Sequence, residues 1–146
     1  MQNIDISKGN EGFSQLEIPQ NPIFSAEIGK EKIVSLNKSI GEIKQLISER
    51  EKLSSDVFQE GEKIKTEITN FLLENEGKIT DAESRDLIKE KNDLRHKKIE
   101  ISEFQLNEKI NCWKDVALLK KELRQDEREL NEKQERLKVM AELLEK

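Results

Sequence analysis

The sequence has little of the residue types that thick globular cores and chemical sites need. It contains no tyrosine, one tryptophan, one histidine, one cysteine and two prolines, and 4% of its 146 residues are aromatic. A single cysteine excludes an internal disulfide. A single histidine excludes a metal site with two histidine ligands. So few aromatic side chains disfavour an ordinary compact globule.

The motifs of common enzymes are also missing. Neither GxxxxGK[ST] nor GxGxxG occurs, so no phosphate-binding loop is predicted. His96 and Cys112 would lie about 24 Å apart on one straight helix, too far for a catalytic pair. No apolar run approaches the ~20 residues of a membrane span, and no signal peptide is visible. We expect a non-enzymatic protein without metal or cofactor, in the cytoplasm or exported without a cleaved signal.

The sequence is instead rich in charge. Charged residues make up 39% and hydrophobic residues 34%, a balance typical of long helices with a narrow apolar seam or of disorder. The net charge of −5 argues against general nucleic-acid binding. The largest basic cluster fits a solvated helix face better than a phosphate track; it comprises Lys89, Lys91, Arg95, His96, Lys97 and Lys98.

Heptad periodicity favours helix over disorder. Alternating steps of three and four from residue 33 to residue 71 meet an apolar side chain at most positions; these are Ile33, Leu36, Ile40, Ile43, Ile47, Val57, Ile64, Ile68 and Phe71. The breaks are Arg50, Ser54 and Gly61. Gly61 is interpreted either as a hinge or as a site of close packing by a large side chain. A helix is predicted over residues 27–76, with Ser25 as a plausible N-cap.

A turn is predicted over residues 77–80. Gly77 follows the apolar run and is the usual kind of helix stop, and Thr80 to Glu83 fits a capping box that begins the next helix. The second helix is predicted over residues 81–146. The predicted fold is therefore all-α, a long antiparallel helical hairpin with coiled-coil packing.

Residues 1–26 differ from the rest and predict a flexible N-terminal arm, since glycine and proline interrupt any helical period. An apolar patch surrounds the two prolines: Phe13, Leu16, Ile18, Ile23 and Phe24. It is interpreted either as a recognition segment that orders on a partner or as a segment that folds back on its own helices.

The middle of the second helix carries a broad apolar zone, which contains Ile99, Phe104, Leu106, Ile110, Cys112, Trp113, Val116, Leu118 and Leu119. A helix with so wide an apolar face is expected to touch more than one neighbour. Cys112 is interpreted as a small packed hydrophobe. For Trp113, a place in the protein's own core is favoured over a role as interface anchor.

Folding at about residue 78 predicts that the second helix outruns the first by about 35 Å. The overhang would leave a leucine ridge uncovered, and this predicted interface comprises Leu119, Leu123, Leu130, Leu137, Met140 and Leu144. Asp126 and Lys133 would meet their own kind in a parallel dimer. We therefore expect an antiparallel homodimer through residues 116–144; the alternative is a monomer whose N-terminal arm covers the ridge.

Two family resemblances bear on function. The stretch from Phe71 to Gly77, followed by Leu87, Leu94, Arg95 and Lys97, resembles the helical hairpin of phage-satellite polarity-suppression proteins. That resemblance implies a helical dimer, encoded by a phage or mobile element, that decorates a capsid or inhibits the Rho transcription-termination hexamer. The chain length and the capped turn are also similar to the coiled-coil stalk of type III secretion machines, which implies a monomeric hairpin.

Together these observations predict a non-enzymatic coiled-coil interaction protein. It would form a homodimer and bind a larger protein assembly, in the cytoplasm of a bacterial host or associated with a virion. The alternative is a type III secretion stalk or chaperone-like hairpin. A third, less favoured hypothesis is a regulator that contacts nucleic acid through Lys89 to Lys98.

Overall fold

The computed structural model describes residues 22–76 and 84–145, and these residues form two helices. Helix α1 is Pro22–Glu74 and helix α2 is Ser84–Glu145. The all-α antiparallel helical hairpin predicted from the sequence is confirmed. Helix α1 begins five residues before the predicted start at residue 27. Proline suits the first turn of a helix because its missing N–H would have no partner there.

Two of the sequence predictions fall largely outside these residues. The turn at residues 77–80 and most of the N-terminal arm are not among the described residues, and Phe13, Leu16 and Ile18 belong to that part. Ile23 and Phe24 lie in the first turns of α1 rather than in a segment without helical structure.

The predicted seam of α1 is the face that packs inward. Every position of the seam from residue 33 to residue 71 is buried or half-buried except Ile64, which is 44% exposed. The three apparent breaks, Arg50, Ser54 and Gly61, also belong to this face. The spacing of α1 therefore identified its buried face correctly.

The seam of α2 follows the same alternation from Leu87 to Met140. Its steps of four and three are interrupted once, between Cys112 and Val116, where two steps of four follow each other. Such an insertion is a stutter, which locally unwinds a coiled coil. Cys112 and Val116 are both buried, so the prediction that Cys112 is a small packed hydrophobe is confirmed.

The chain divides into two compact units. Over the described residues, unit 1 comprises residues 22–42 with 123–145, and unit 2 comprises residues 43–76 with 84–122. In unit 1, Ser39 Oγ donates a 2.7 Å hydrogen bond to Asp126 Oδ2, and a Cβ on Gly29 would lie 3.2 Å from Leu137 Cδ2. The order of these two pairs shows that the helices run antiparallel within this unit.

Polar groups connect the helices inside unit 2. Arg50 forms ion pairs with Glu108 at 2.5 Å and with Asp115 at 2.9 Å. The buried Lys91 donates a 2.6 Å hydrogen bond from Nζ to the carbonyl oxygen of Asn75. This contact gives the carbonyl of Asn75, just past the end of α1, a cationic partner, which suits the negative end of a helix dipole.

These pairs overturn the predicted register. Asn75 and Lys91 are equidistant from residue 83, whereas the prediction folded the chain at about residue 78 and placed Ile64 opposite Lys91. The predicted overhang was wrong for the same reason. Leu123, Leu130, Leu137 and Met140 are half-buried seam residues of unit 1, and Leu137 lies against Gly29 of α1.

Candidate protein-binding surface

An exposed row of apolar side chains runs along α2 in unit 2. Ile99, Leu106 and Trp113 are 57%, 59% and 64% exposed. They are spaced by seven residues, so they share one side of the helix over about 21 Å. We refer to these three residues as the Trp113 stripe.

The stripe is one residue out of phase with the seam. Its members directly follow Lys98, Gln105 and Cys112, which are half-buried or buried. The helix thus turns a lysine and a glutamine toward α1 and presents isoleucine and leucine to solvent. Local violations of the usual inside–outside pattern are expected at functional surfaces.

A groove opens between α1 and the end of the stripe at Trp113. Its volume is about 530 Å³, and Phe58 of α1 and Trp113 of α2 are among its lining residues. The seam residues Val57, Cys112 and Val116 also line it, so the groove combines buried apolar atoms with two exposed aromatic rings. Phe58 is 47% exposed.

The ammonium group of Lys109 lies over one face of the Trp113 ring. Lys109 Nζ lies 5.4 Å from the centroid of the Trp113 ring, within the range of a cation–π interaction. The two residues are four apart on α2 and thus neighbours on the helix surface. This contact orders the indole in its exposed position.

Arg50 carries the strongest electrostatic contact next to the groove. Hydrogen bonds to Asp115 and then to Glu108 raise the pKa of its guanidinium above the ordinary value. Its side chain is 18% exposed, while that of Asp115 is 53% exposed. The guanidinium fork is suited to two carboxylates at once, so Arg50 fixes α1 to α2 beside the groove.

A second polar layer crosses the seam at Gly61. Gln105 Nε2 donates to the carbonyl oxygen of Phe58 at 2.9 Å and to Glu62 Oε1 at 3.2 Å. A hydrogen bond from Lys65, and a smaller contribution from Gln105, lowers the pKa of Glu62 below its ordinary value. Of the two interpretations of Gly61, close packing by a large side chain is the one observed.

The broad apolar zone of α2 does not form one core. Cys112 and Val116 are buried in the seam, but Phe104, Leu106, Trp113 and Leu118 are 59% to 67% exposed. The preferred interpretation of Trp113 as a core residue was therefore wrong. A signal was present in the sequence, since Ile99, Leu106 and Trp113 form their own heptad series one residue after the seam.

The predicted ridge is divided by the structure. Leu119, Leu123, Leu130, Leu137 and Met140 are half-buried along the seam, and Leu144 is 56% exposed. Because the ridge faces α1 of the same chain, an uncovered overhang no longer supports association through residues 116–144. The homodimer itself stays a prediction.

The basic cluster is not one continuous face. Lys91 and Lys98 point into the seam, whereas Lys89, Arg95, His96 and Lys97 are exposed. Arg95 donates to Asn92 and Lys97 pairs with Glu100, so two of these cations have local partners. Bases divided in this way do not form a single track for phosphates.

Within residues 22–76 and 84–145, no group of three or more His, Cys, Asp or Glu side chains is placed to hold a metal ion. Neither α1 nor α2, over its described length, is apolar enough to cross a membrane. Comparison with protein-family models, curated proteins and solved structures finds no match to this chain.

Proposed function

We propose that this protein is a non-enzymatic coiled-coil interaction protein that forms a homodimer through the Trp113 stripe. The observation that carries the proposal is the exposure of Ile99, Leu106 and Trp113 at heptad spacing, while the polar Lys98 and Gln105 take half-buried and buried positions. Fully covering an apolar side chain of this size stabilises by roughly 1.5–3 kcal/mol. Association itself costs several kcal/mol, so we expect a micromolar rather than a nanomolar dimer.

The geometry of the stripe suits a second copy. Leu106 lies midway between Ile99 and Trp113. A two-fold antiparallel pairing therefore sets Leu106 against Leu106 and the larger Trp113 against Ile99 of the partner subunit. A parallel pairing would instead set two tryptophans and two Lys109 cations at the same level.

The tryptophan supplies the test. The chain has one tryptophan and no tyrosine, so its emission reports on Trp113 alone. Sedimentation velocity over a range of concentrations should show a dimer, and the emission should shift to shorter wavelength over the same range. Leu106→Glu should abolish both changes without loss of helix by circular dichroism.

Leu118→Glu is the matched control. Leu118 is 67% exposed on the same helix, but it lies about 120° around the helix from Leu106. The Leu118→Glu variant should dimerise like the unaltered protein. A monomer at every concentration, or equal loss in both variants, would contradict the proposal.

One observation favours the alternative, a monomeric secretion stalk or chaperone-like hairpin. Apart from Ile64, the described seam residues from residue 33 to residue 71 of α1 and from Leu87 to Met140 of α2 are buried or half-buried within one chain, so a partner is not required to cover them. A concentration-independent monomer would support this alternative.

The larger assembly is a separate part of the proposal. The resemblance to polarity-suppression proteins implies a phage or mobile-element origin, a cytoplasmic or virion location, and a capsid or the Rho hexamer as target. Cosedimentation of the purified protein with each purified assembly tests these targets. Absence of both complexes would remove that part and leave the dimer untouched.

A further inference from the structure

A second apolar groove lies on the side of unit 2 away from the Trp113 stripe. Phe104 and Trp113 are nine residues, or two and a half helical turns, apart, so they point to opposite sides of α2. The groove has a volume of about 610 Å³ and passes over Gly61, which carries no side chain. Phe104 is 59% exposed and Ile64, the uncovered seam residue of α1, is 44% exposed.

The rim of this groove is acidic. Asp56, Glu60 and Glu100 line it together with one base, Lys97, which lies 3.6 Å from Glu100. Any ligand that fills the apolar floor therefore meets more negative than positive charge at the edges.

The acidic character continues along both helices. Heptad spacing repeats the rim positions at Glu60, Glu67 and Glu74 of α1, and at Asp86, Asp93 and Glu100 of α2. The bases on this side of unit 2 are Lys63, Lys97 and Lys114. The apolar groove thus lies at one end of two rows of carboxylates, one row on each helix.

We infer that the Phe104 groove binds a basic amphipathic helix of a partner protein. Apolar side chains at heptad spacing would cover Phe104 and Ile64, and flanking lysines or arginines would meet the carboxylates. The acidic rows repel phosphates, which disfavours nucleic acid and anionic membranes as occupants.

The groove also selects the backbone form of its ligand. Both of its walls are α-helices, whose backbone N–H and C=O groups already bond within each helix. The groove offers no strand edge to which an extended peptide could add. A segment lying along it must satisfy its own backbone hydrogen bonds, as a helix does.

The test uses the full chain and a labelled synthetic helix of about three heptads, with leucine at the first and fourth positions and lysine elsewhere. Fluorescence anisotropy should show binding that weakens as salt rises. The same peptide with glutamate in place of lysine should not bind. Equal binding of both peptides would overturn the inference.

The variants separate the groove from general attraction between opposite charges. Phe104→Ala should weaken binding about tenfold, while Phe58→Ala, an exposed phenylalanine on the other side, should not. The double variant Glu60→Lys with Glu100→Lys should bind at least about fivefold more weakly than Glu51→Lys with Glu103→Lys, which has the same net charge.

Circular dichroism confirms that each variant folds. Loss of affinity that is equal in the two double variants would mean that only net charge matters, and the groove would be dismissed. A larger loss in the Glu51 and Glu103 variant would place the peptide on the other side of unit 2 and would also overturn the inference. None of these outcomes depends on dimerisation, which the Leu106→Glu variant tests separately.

Discussion

Gly61 of α1 lies directly against the buried side chain of Gln105 of α2: a Cβ at Gly61 would overlap Nε2 of Gln105 and lie 2.9 Å from its Cδ. This contact lets the amide reach the carbonyl of Phe58 and the carboxylate of Glu62. Gly61 interrupts the apolar heptad pattern, and its missing side chain leaves room for Gln105 to form a polar layer between the helices.

Gly61→Ala should destabilise the protein by up to about 2 kcal/mol. Alanine ordinarily stabilises a helix by about 1 kcal/mol relative to glycine. Here the methyl group displaces a buried amide, and a buried amide without its partners costs about 1–3 kcal/mol. The free energy of unfolding in urea measures the net effect.

In two controls, a glycine-to-alanine substitution should raise the free energy of unfolding and not lower it. A Cβ at Gly41 would meet nothing within 4 Å, so Gly41→Ala should stabilise by about 0.5–1 kcal/mol. In a Gln105→Ala background, Gly61→Ala should also stabilise. Destabilisation in that background would mean that Gln105 is not the cause.

The pair Ser39 and Asp126 tests the register of unit 1. Their 2.7 Å hydrogen bond predicts a coupling of about 1–2 kcal/mol in a double-mutant cycle with Ser39→Ala and Asp126→Ala. Urea unfolding of the four proteins provides the cycle. A coupling near zero would favour the register with the fold at residue 78, in which these residues are far apart.

Arg50→Lys should lower the urea midpoint, because lysine lacks the planar fork that donates to Glu108 and Asp115 together. The decrease should become smaller in high salt, since Asp115 is 53% exposed and ions screen exposed charges. Arg124→Lys, an exposed site on α2, is the control and should leave the midpoint unchanged. A similar decrease at both sites would show that the fork is not the reason.

The environment of Glu62 predicts that the stability of the folded protein depends on pH. Its pKa in the folded protein is below its ordinary value, chiefly because Lys65 donates a hydrogen bond to it. As the pH falls, the unfolded chain therefore binds a proton at Glu62 before the folded chain does. The contribution of ionised Glu62 to the free energy of unfolding is thus complete at neutral pH. It is lost as the pH falls through the ordinary glutamate pKa of about 4.3 toward the lower folded pKa.

The measurement compares melting temperatures of the unaltered protein and Glu62→Gln between neutral and acidic pH. The difference should be largest at neutral pH and should close in acid. It should be much reduced in a Lys65→Met background. A difference that is constant with pH would contradict the assignment.

The sequence by itself determined which face of α1 is buried. Ile40, Ile43 and Ile68 occur at heptad spacing, and a helix that keeps this spacing must bury that stripe against another helix. The sequence also predicted the hairpin, from the helix stop at Gly77 and the capping box that begins at Thr80, and the packed Cys112, from the apolar stretch around it.

The tertiary structure decided which residues face each other. Heptads repeat every seven residues, about 10.5 Å along a helix, so one seam can slide past another and still match apolar with apolar. Polar contacts remove that freedom, because Asp126 needs Ser39 and Gln105 needs the space at Gly61.

The candidate surfaces were decided in the same way. Placing Gln105 and Cys112 in the seam turns Leu106 and Trp113 outward, although composition favours burying them. The sequence shows that these residues are apolar. Only the rotation of α2, fixed by hydrogen bonds from the buried Gln105 to Phe58 and Glu62 of α1, decides whether they meet α1 or solvent.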